Sequence, residues 1–470
     1  MESFGGRADT GFSPNRRTAA VLVGDGTSSA YLAGVVSALR DAGVRIDVVV
    51  GKGAGAFVAA LSAIDAESSL LGEDGLFARL AGRRPWRLRP LYKMTLACLT
   101  ISFAAFLSPA LLGIVALIAL PLQALGRLLS GASEPSRGAG WVVSAFESSE
   151  PIYFRAMVVP LIVLCAVWLG WWAFRFLRER RAPALPEVFD LDPLTTLLES
   201  TLWQAVRGAS TADRPRDRAE LADAHRKLLT GSLGQLGFRE LLFYALDTDS
   251  GREVPFAILK ERFFRRLSRD RVSSTDSNGV PAEALDLTKE EGSLLFDTLL
   301  AALSPPGLVP SVPVKLPLGT PHGGEVHRFS SSLLVGGSAL LDAVAAGAEQ
   351  IVYIAGCAPG DRPSGNAWER LVEAATRKTL ADDLAEAARV PDLPVFLIRP
   401  DKLRLSPYEI TGRMQLGNER LDLAALTAHG RRDAHRLFIE PIFGDERGDV
   451  GGEATIPIRD EGSRAGPHEL

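Results

Sequence analysis

The sequence predicts an α/β fold with a mostly parallel sheet, interrupted by an inserted hairpin of two membrane-crossing helices. Three observations predict it. Short apolar runs alternate with helical patterns along most of the chain. Two Gly-rich turns sit where a strand passes into a helix. Two long stretches carry no charged residue.

Taken in chain order, residues 1–16 mix Gly, Ser, Asn, Arg and Asp and are expected to form a disordered arm. Ala19–Val23 reads as a strand, Ser29–Ala42 as a helix, Asp47–Val50 as a strand, and Gly55–Ile64 as a helix. After the uncharged stretches, helices fit Pro193–Arg207 and Ala219–Leu229, and Leu241–Leu246 reads as a strand. Residues 268–290 have the composition of a surface loop. Leu294–Leu303 and Ser338–Ala346 read as helices, Ile351–Ala355 as a strand, and Trp368–Ala388 as a helix. Val395–Ile398 reads as a strand and Leu421–Leu437 as a helix. The expected organisation is an arm (1–16), the first part of the α/β domain (17–82), a hairpin insertion (83–182), the second part (183–445), and a disordered tail (446–470).

The insertion is read from charge and hydropathy. No charged residue lies between Met94 and Gly126, or between Ala156 and Phe174. A bilayer core needs roughly 20 apolar residues, so spans near 97–120 and 156–175 fit, with Pro109 and Pro121 as kinks in the first. Trp168, Trp171 and Trp172 suit an interfacial belt. Arg83, Arg84, Arg87, Arg89 and Lys93 precede the first stretch; Arg175, Arg178, Arg180 and Arg181 follow the second. The loop Leu128–Phe154 holds only Arg137 against Glu134, Glu147 and Glu150. The positive-inside rule puts that loop outside and the bulk of the chain in the cytoplasm. Neither stretch is N-terminal, so neither reads as a signal peptide. Arg greatly outnumbers Lys, which fits a GC-rich bacterial genome and hence an inner or plasma membrane.

Composition closes several other routes. In 470 residues, 47% hydrophobic and 23% charged residues describe a globular chain. The net charge of −4 gives no electrostatic footprint for nucleic acid, and none is expected as a partner. Three Cys exclude a disulfide framework, and six scattered His argue against zinc. No metal and no cofactor are expected.

Any chemistry should lie in the two Gly-rich turns. The first is VLVGDGTSSAYLAGVVSAL, the second VVVGKGAGAFVAAL. Such turns bring backbone N–H groups close to an oxyanion or phosphate. The first half-matches a dinucleotide fingerprint, but Ser29 stands at the third Gly and no ribose-binding acid follows. The second has a Gly-Lys pair without the Gly five residues earlier, and Gly53 stands where a phosphate-binding loop has Ser or Thr.

In this order and about 25 residues apart, the two turns resemble the opening of the patatin-like phospholipase family. Softer stretches agree: LFYALDTDSGREVPF (Leu242–Phe256), ALSPPGLVPSV (Ala302–Val312), and LVGGSALLDAVAAG (Leu334–Gly347) running into Ile351–Ala355. The resemblance covers about 20–80 and 190–440 and implies a three-layer α/β fold with an oxyanion loop after the first strand and a nucleophile elbow after the second. It also places the family's chemical residues on positions that have changed. The nucleophile Ser falls on Gly53 and the catalytic Asp on Val335. In the oxyanion-loop equivalent, Gly24-Asp25-Gly26, the middle Gly is Asp25, and the loop's Arg or Lys falls on Ser28. Gly51, Gly55, Gly336 and Gly337 remain.

Acyl transfer needs a nucleophile with a base, and an oxyanion hole free of negative charge. The expectation is therefore a domain of lipid metabolism without a catalytic dyad, a pseudoenzyme that binds lipid or acyl groups or scaffolds a protein partner at the cytoplasmic face. The alternatives are an active lipid acyl hydrolase with a displaced nucleophile, and a plain membrane-anchored interaction module. Lys52 and Ser28 are candidate anion or lipid contacts, Lys52 otherwise being a solvated lysine on a turn. Ser28 and Ser29 stand where a helix N-cap is expected, and Ser62 is the other nearby hydroxyl. Asp342 reads as a decoration of the helix after Gly337, and His429 and His435 as part of a solvated basic face.

Overall fold

A computed structural model describes residues 11–24, 26–72, 75–80, 87–107, 156–174, 188–207, 217–231, 235, 238–273, 284–289, 294–318, 322–333, 339–357, 367–400, 414–416, 419–421 and 423–443. The chain divides into two compact units: Met1–Trp86 with Leu191–Leu470, and Arg87–Asp190.

The larger unit opens with β1 (Thr18–Gly24), α1 (Ser28–Asp41), β2 (Val48–Gly53) and α2 (Gly55–Ser62), then the short α3 (Ser68–Leu71) and α4 (Leu76–Leu80). The smaller unit follows, with β3 (Arg87–Leu88), α5 (Pro90–Leu107), α6 (Ala156–Phe174) and β4 (Phe189–Asp190). The larger unit resumes with α7 (Asp192–Arg207), α8 (Arg218–Gly231), β5 (Glu240–Asp247), β6 (Arg252–Ile258), α9 (Glu261–Ser273) and β7 (Leu285–Asp286). Next come α10 (Leu295–Ala302), β8 (Val312–Lys315), β9 (Val326–Ser331), α11 (Ala339–Ala345), β10 (Gln350–Ala355), α12 (Ala367–Ala387) and β11 (Val395–Ile398). A small ladder of β12 (Met414–Leu416) and β13 (Glu419–Leu421) precedes α13 (Leu423–Ala434), a π turn (His435–Ile439) and α14 (Glu440–Phe443).

Nine strands form one mixed, mostly parallel sheet in the order β11-β10-β1-β2-β5-β6-β7, with β9 on β5 and β8 on β9. From β11 to β5 every pairing is parallel. Strands covered on both faces need continuous apolar residues, and β1, TAAVLVG, is buried throughout. One face, with Val50, Leu242, Ile351 and Tyr353, packs against α9, α11 and α12 through Leu267, Leu340 and Leu380. Helices α1, α2 and α10 contact β1, β2 and β5, and α13 lies along α1, where Tyr31 Oη donates to Asp433 Oδ2 at 3.0 Å. Three layers result, as the alternating pattern requires.

Strand β5 explains how the site is placed. Its first half pairs with β2, up to Gly51 opposite Phe243. Its second half pairs with β9, Ser331 opposite Ala245. Strand β9 thus takes up the edge of β5 that β2 leaves when the chain turns into α2.

Three expectations need correction. The arm over 1–16 is anchored from Phe12 onward, because that ring packs edge-on against Phe396 and Phe438, and Gln350 bonds Ser13 in both directions. The loop over 268–290 begins as helix, since α9 runs to Ser273; Leu267 is buried and Arg271 is drawn inward to Asp342, which offsets a very polar composition. The helix over Leu421–Leu437 changes to π geometry at His435. The helix over the first apolar stretch starts at Pro90, and the expected span near 97–120 begins within it; residues 108–155, with Pro109, Pro121 and the loop Leu128–Phe154, lie outside the described residues. The tail over 446–470 lies outside them too.

In the smaller unit, β3 and β4 pair antiparallel and Arg89 N–H donates to Val188 O at 3.1 Å. Helices α5 and α6 are tied by Trp168 Nε1–H donating to Thr95 Oγ1 at 3.0 Å and Ser102 Oγ donating to Met157 O at 3.0 Å. Both are long and apolar enough to cross a membrane, on length and composition alone. Phe103, Phe106, Ile162 and Leu169 are exposed by 61–67%.

Candidate functional site

The turn after β2 has the geometry of a nucleophile elbow. The strand ends at Gly53 and helix α2 begins at Gly55. Gly53 has φ of +65°, in the left-handed region that favours glycine. It lies opposite Gly24 in the parallel register of β1 and β2. A Cβ on Gly53 would stand 2.6 Å from the Gly24 carbonyl oxygen and 3.6 Å from Leu333 Cδ1. Real Cβ atoms do not come that close to a carbonyl, so any side chain here requires the Gly24 peptide to move.

Leu333 stands just beyond β9 and two residues before Val335. Val335 lies outside the described residues, as does Asp25; Gly24 and Gly26 flank Asp25, and Gly26 has φ of +57°. The described segment ending at Leu333 therefore reaches Gly53.

Lys52 is not a surface cation. Its side chain is 0% exposed, and its Nζ lies 2.7 Å from Glu253 Oε1. The reason is register: β2 continues through Lys52, and strand alternation turns its side chain to the same face as Val50. There it meets the Tyr244 ring at 5.7 Å. Both expectations for it, a lipid contact and a solvated lysine, are overturned by this burial. Asp342 is not a surface decoration either. It accepts from Tyr244 Oη at 2.8 Å and from Arg271 Nη2 at 2.5 Å. Two cations and two carboxylates, with one phenol, thus form a balanced internal cluster beside the elbow. Burial and the Asp342 charge push the Tyr244 hydroxyl far up. Burial opposes the Arg271 charge, but Asp342, Tyr244 and Glu253 together raise its pKa.

The hydroxyls are placed differently from one another. Ser28 is the first residue of α1, with Thr27 at the N-cap, so neither Ser28 nor Ser29 occupies that position. Ser28 is 1% exposed. Ser29 Oγ donates to Gly26 O at 2.8 Å. Ser62 is buried at the far end of α2. His435, Arg431, Arg432 and Arg436 are exposed, and His429 is half-buried.

A small apolar cavity adjoins the elbow, and no motif in the sequence singles it out. It holds about 30 Å³ of free space, lined by Ser29 and Ala54 with Phe57, Leu76, Phe77 and Leu198 among its apolar walls. That volume suits a water molecule, not an acyl chain. None of its described lining residues is an acid, a base or a metal ligand. Periodicity could have hinted at it only through the apolar faces of α4 and α7.

No family model and no curated protein matches the sequence. Among solved structures, VipD from Legionella pneumophila aligns at 11% identity and a TM-score of 0.29, covering 90% of this chain and 67% of its own. The type III effector protein ExoU aligns at 14% identity and a TM-score of 0.28, covering 90% of this chain and 54% of its own. The chain thus spans about two thirds of the first and about half of the second.

Proposed function

We propose that this chain is a membrane-anchored, patatin-like domain protein that binds lipid or acyl groups, or scaffolds a protein partner, without hydrolysis. One observation carries the reading. The elbow keeps its left-handed turn at Gly53, while the place for a nucleophile's Cβ is blocked by the Gly24 carbonyl. A nucleophile and its base act as a unit, so the loss of both leaves very little catalysis. The sequence positions that would supply them hold Gly53 and Val335.

Anchoring is supported by the smaller unit. A helix of a soluble core hides its apolar residues, whereas α5 and α6 present Phe103, Phe106, Ile162 and Leu169 outward. Their Arg-rich flanks favour a cytoplasmic location for both ends.

A second reading, an acyl hydrolase with a displaced nucleophile, has one observation in its favour: Ser29 lines the apolar cavity. A fluorophosphonate probe and an ester-hydrolysis assay on the full chain in detergent separate the two. No labelling and no turnover are expected from the wild type, lipid should co-purify, and alkaline carbonate should leave the chain in the membrane fraction. Labelling mapped to Ser29 or another serine would establish the second reading instead. The variant Gly53→Ser alone should stay inactive. The triple change Gly53→Ser, Val335→Asp, Asp25→Gly is the smallest that restores nucleophile, base and an uncharged oxyanion loop together.

A further inference from the structure

The turn between β8 and β9 gathers side chains that the elbow lacks. Its sequence, His322-Gly-Gly-Glu325-Val-His327, brings two imidazoles to a ring-centroid distance of 4.9 Å. Glu325 Oε2 stands between them, 3.3 Å from His327 Nε2 and 3.7 Å from His322 Nδ1. On the other side of the His327 ring, Nδ1 lies 2.6 Å from Asp247 Oδ2.

Asp247 is a buried acceptor. It also takes bonds from Asp249 N–H at 3.0 Å, Ser250 N–H at 3.3 Å and Ser250 Oγ at 2.7 Å. A carboxylate in that setting holds the proton of His327 on Nδ1. Glu325 Oε2 is thereby approached by two imidazole nitrogens, His327 Nε2 at 3.3 Å and His322 Nδ1 at 3.7 Å.

The spacing selects the cation. Zinc–nitrogen bonds of about 2.0–2.1 Å and zinc–oxygen bonds of about 2.0–2.2 Å, at tetrahedral angles, separate neighbouring donors by about 3.3–3.5 Å. The two contacts to Glu325, at 3.3 and 3.7 Å, bracket that range. The 2.6 Å contact between His327 and Asp247 is too short to straddle a metal and is a hydrogen bond. The other nearby donor set, Asp247 with Asp249 and His327, is thereby disfavoured.

We propose that His322 Nδ1, Glu325 Oε2 and His327 Nε2 bind a divalent transition metal of the zinc class, with Asp247 orienting His327 from behind. Two imidazoles and one carboxylate suit zinc and its neighbours rather than calcium or magnesium, which take oxygen ligands. The carboxylate–histidine–metal arrangement fixes the tautomer and strengthens the ligand. The side chains of His322 and Glu325 are 45% and 67% exposed, so a metal enters from solvent and a water completes the fourth position. The expectation of no metal rests on counting histidines without neighbouring cysteines, and such a count does not register a turn that pairs two of them around a glutamate.

The test is a metal titration of the full chain in detergent after chelation and dialysis. Wild type should take up one equivalent of Co²⁺ with visible d–d bands of tetrahedral type, and Zn²⁺ should displace it. His322→Ala and Glu325→Gln, both at exposed positions, should each weaken Zn²⁺ binding at least about tenfold with circular dichroism unchanged. Asp249→Asn should bind like wild type. The proposal is overturned if wild type takes up no stoichiometric metal, if His322→Ala and Glu325→Gln bind as wild type does, or if Asp249→Asn weakens binding as much as they do.

Discussion

The turn after β2 and the turn before β9 are built from opposite materials. At the first, glycine sets the backbone conformation and apolar atoms fill the surroundings; the charged neighbour, Lys52, is folded inward against Glu253. At the second, an ordinary hairpin carries His322, Glu325 and His327 with their reactive atoms converging. Both turns flank the same strand, β5, through β2 and β9. The contrast teaches that a strained turn and a reactive constellation are separable. The elbow holds its shape through register and close backbone approach, which require no nucleophile. The hairpin assembles polar donors without any backbone strain at the donor residues.

The largest effect that could break this comparison is expected from Gly53→Ser. A non-glycine residue at φ of +65° costs about 1–3 kcal/mol in strain. Forcing its Cβ past the Gly24 carbonyl adds an overpacking cost of about 1–3 kcal/mol. Hydrogen exchange of peptides covering 48–62 should therefore show a loss of about 2–6 kcal/mol in opening free energy. A loss below about 1 kcal/mol would mean that the elbow already accommodates a side chain, and the blocked position would lose its force.

Next in size is Lys52→Met. Removing one partner of a buried ion pair leaves an uncompensated charge and costs about 3–5 kcal/mol, whereas replacing both partners by apolar residues is often near neutral. The single variant should be strongly destabilised in chemical denaturation, and Lys52→Met with Glu253→Met should recover most of the loss. A neutral single variant would show that the Lys52–Glu253 pair adds no net stability.

What was legible in the sequence follows the same division. Ala19–Val23 and Ile351–Ala355 could be read because strands buried on both faces appear as unbroken apolar runs, and the half-buried edge strand Val395–Ile398 because its four residues are all apolar. The position of Gly53 on a strand-to-helix turn was legible from its flanking glycines. Lys52 was not, because a lysine between glycines has the composition of a turn, and only the continuation of β2 to Gly53 turns it inward. Helix α9 was hidden by its arginines, and β9, VHRFSS, by its polarity. The hairpin cluster depends on Asp247, 80 residues from His327, and no local spacing encodes that pairing.

The smallest effect isolates burial from partnership by setting His327 beside another histidine. His225, on α8, is 0% exposed, and neither ring nitrogen has a hydrogen-bond partner among the described residues. His327 is buried too, yet Asp247 and Glu325 outweigh the burial and raise its pKa. Burial alone acts on His225 and lowers its pKa from 6.5 to about 4. The folded-state value lies below the unfolded one, so between these two values the unfolded chain binds the extra proton. Stability is then constant above pH 6.5, falls as pH drops toward about 4, and levels off below that. At about 1.4 kcal/mol for each pH unit between the two values, the full loss comes to about 3 kcal/mol. Hydrogen exchange of peptides spanning 218–231, followed from pH 7 to pH 4 with the intrinsic exchange rate divided out, should show this loss in wild type. His225→Leu should flatten it, whatever its effect at pH 7. An equally steep acid loss in His225→Leu would assign the slope to carboxylates elsewhere, and His225 would no longer serve as the unpartnered counterpart of His327.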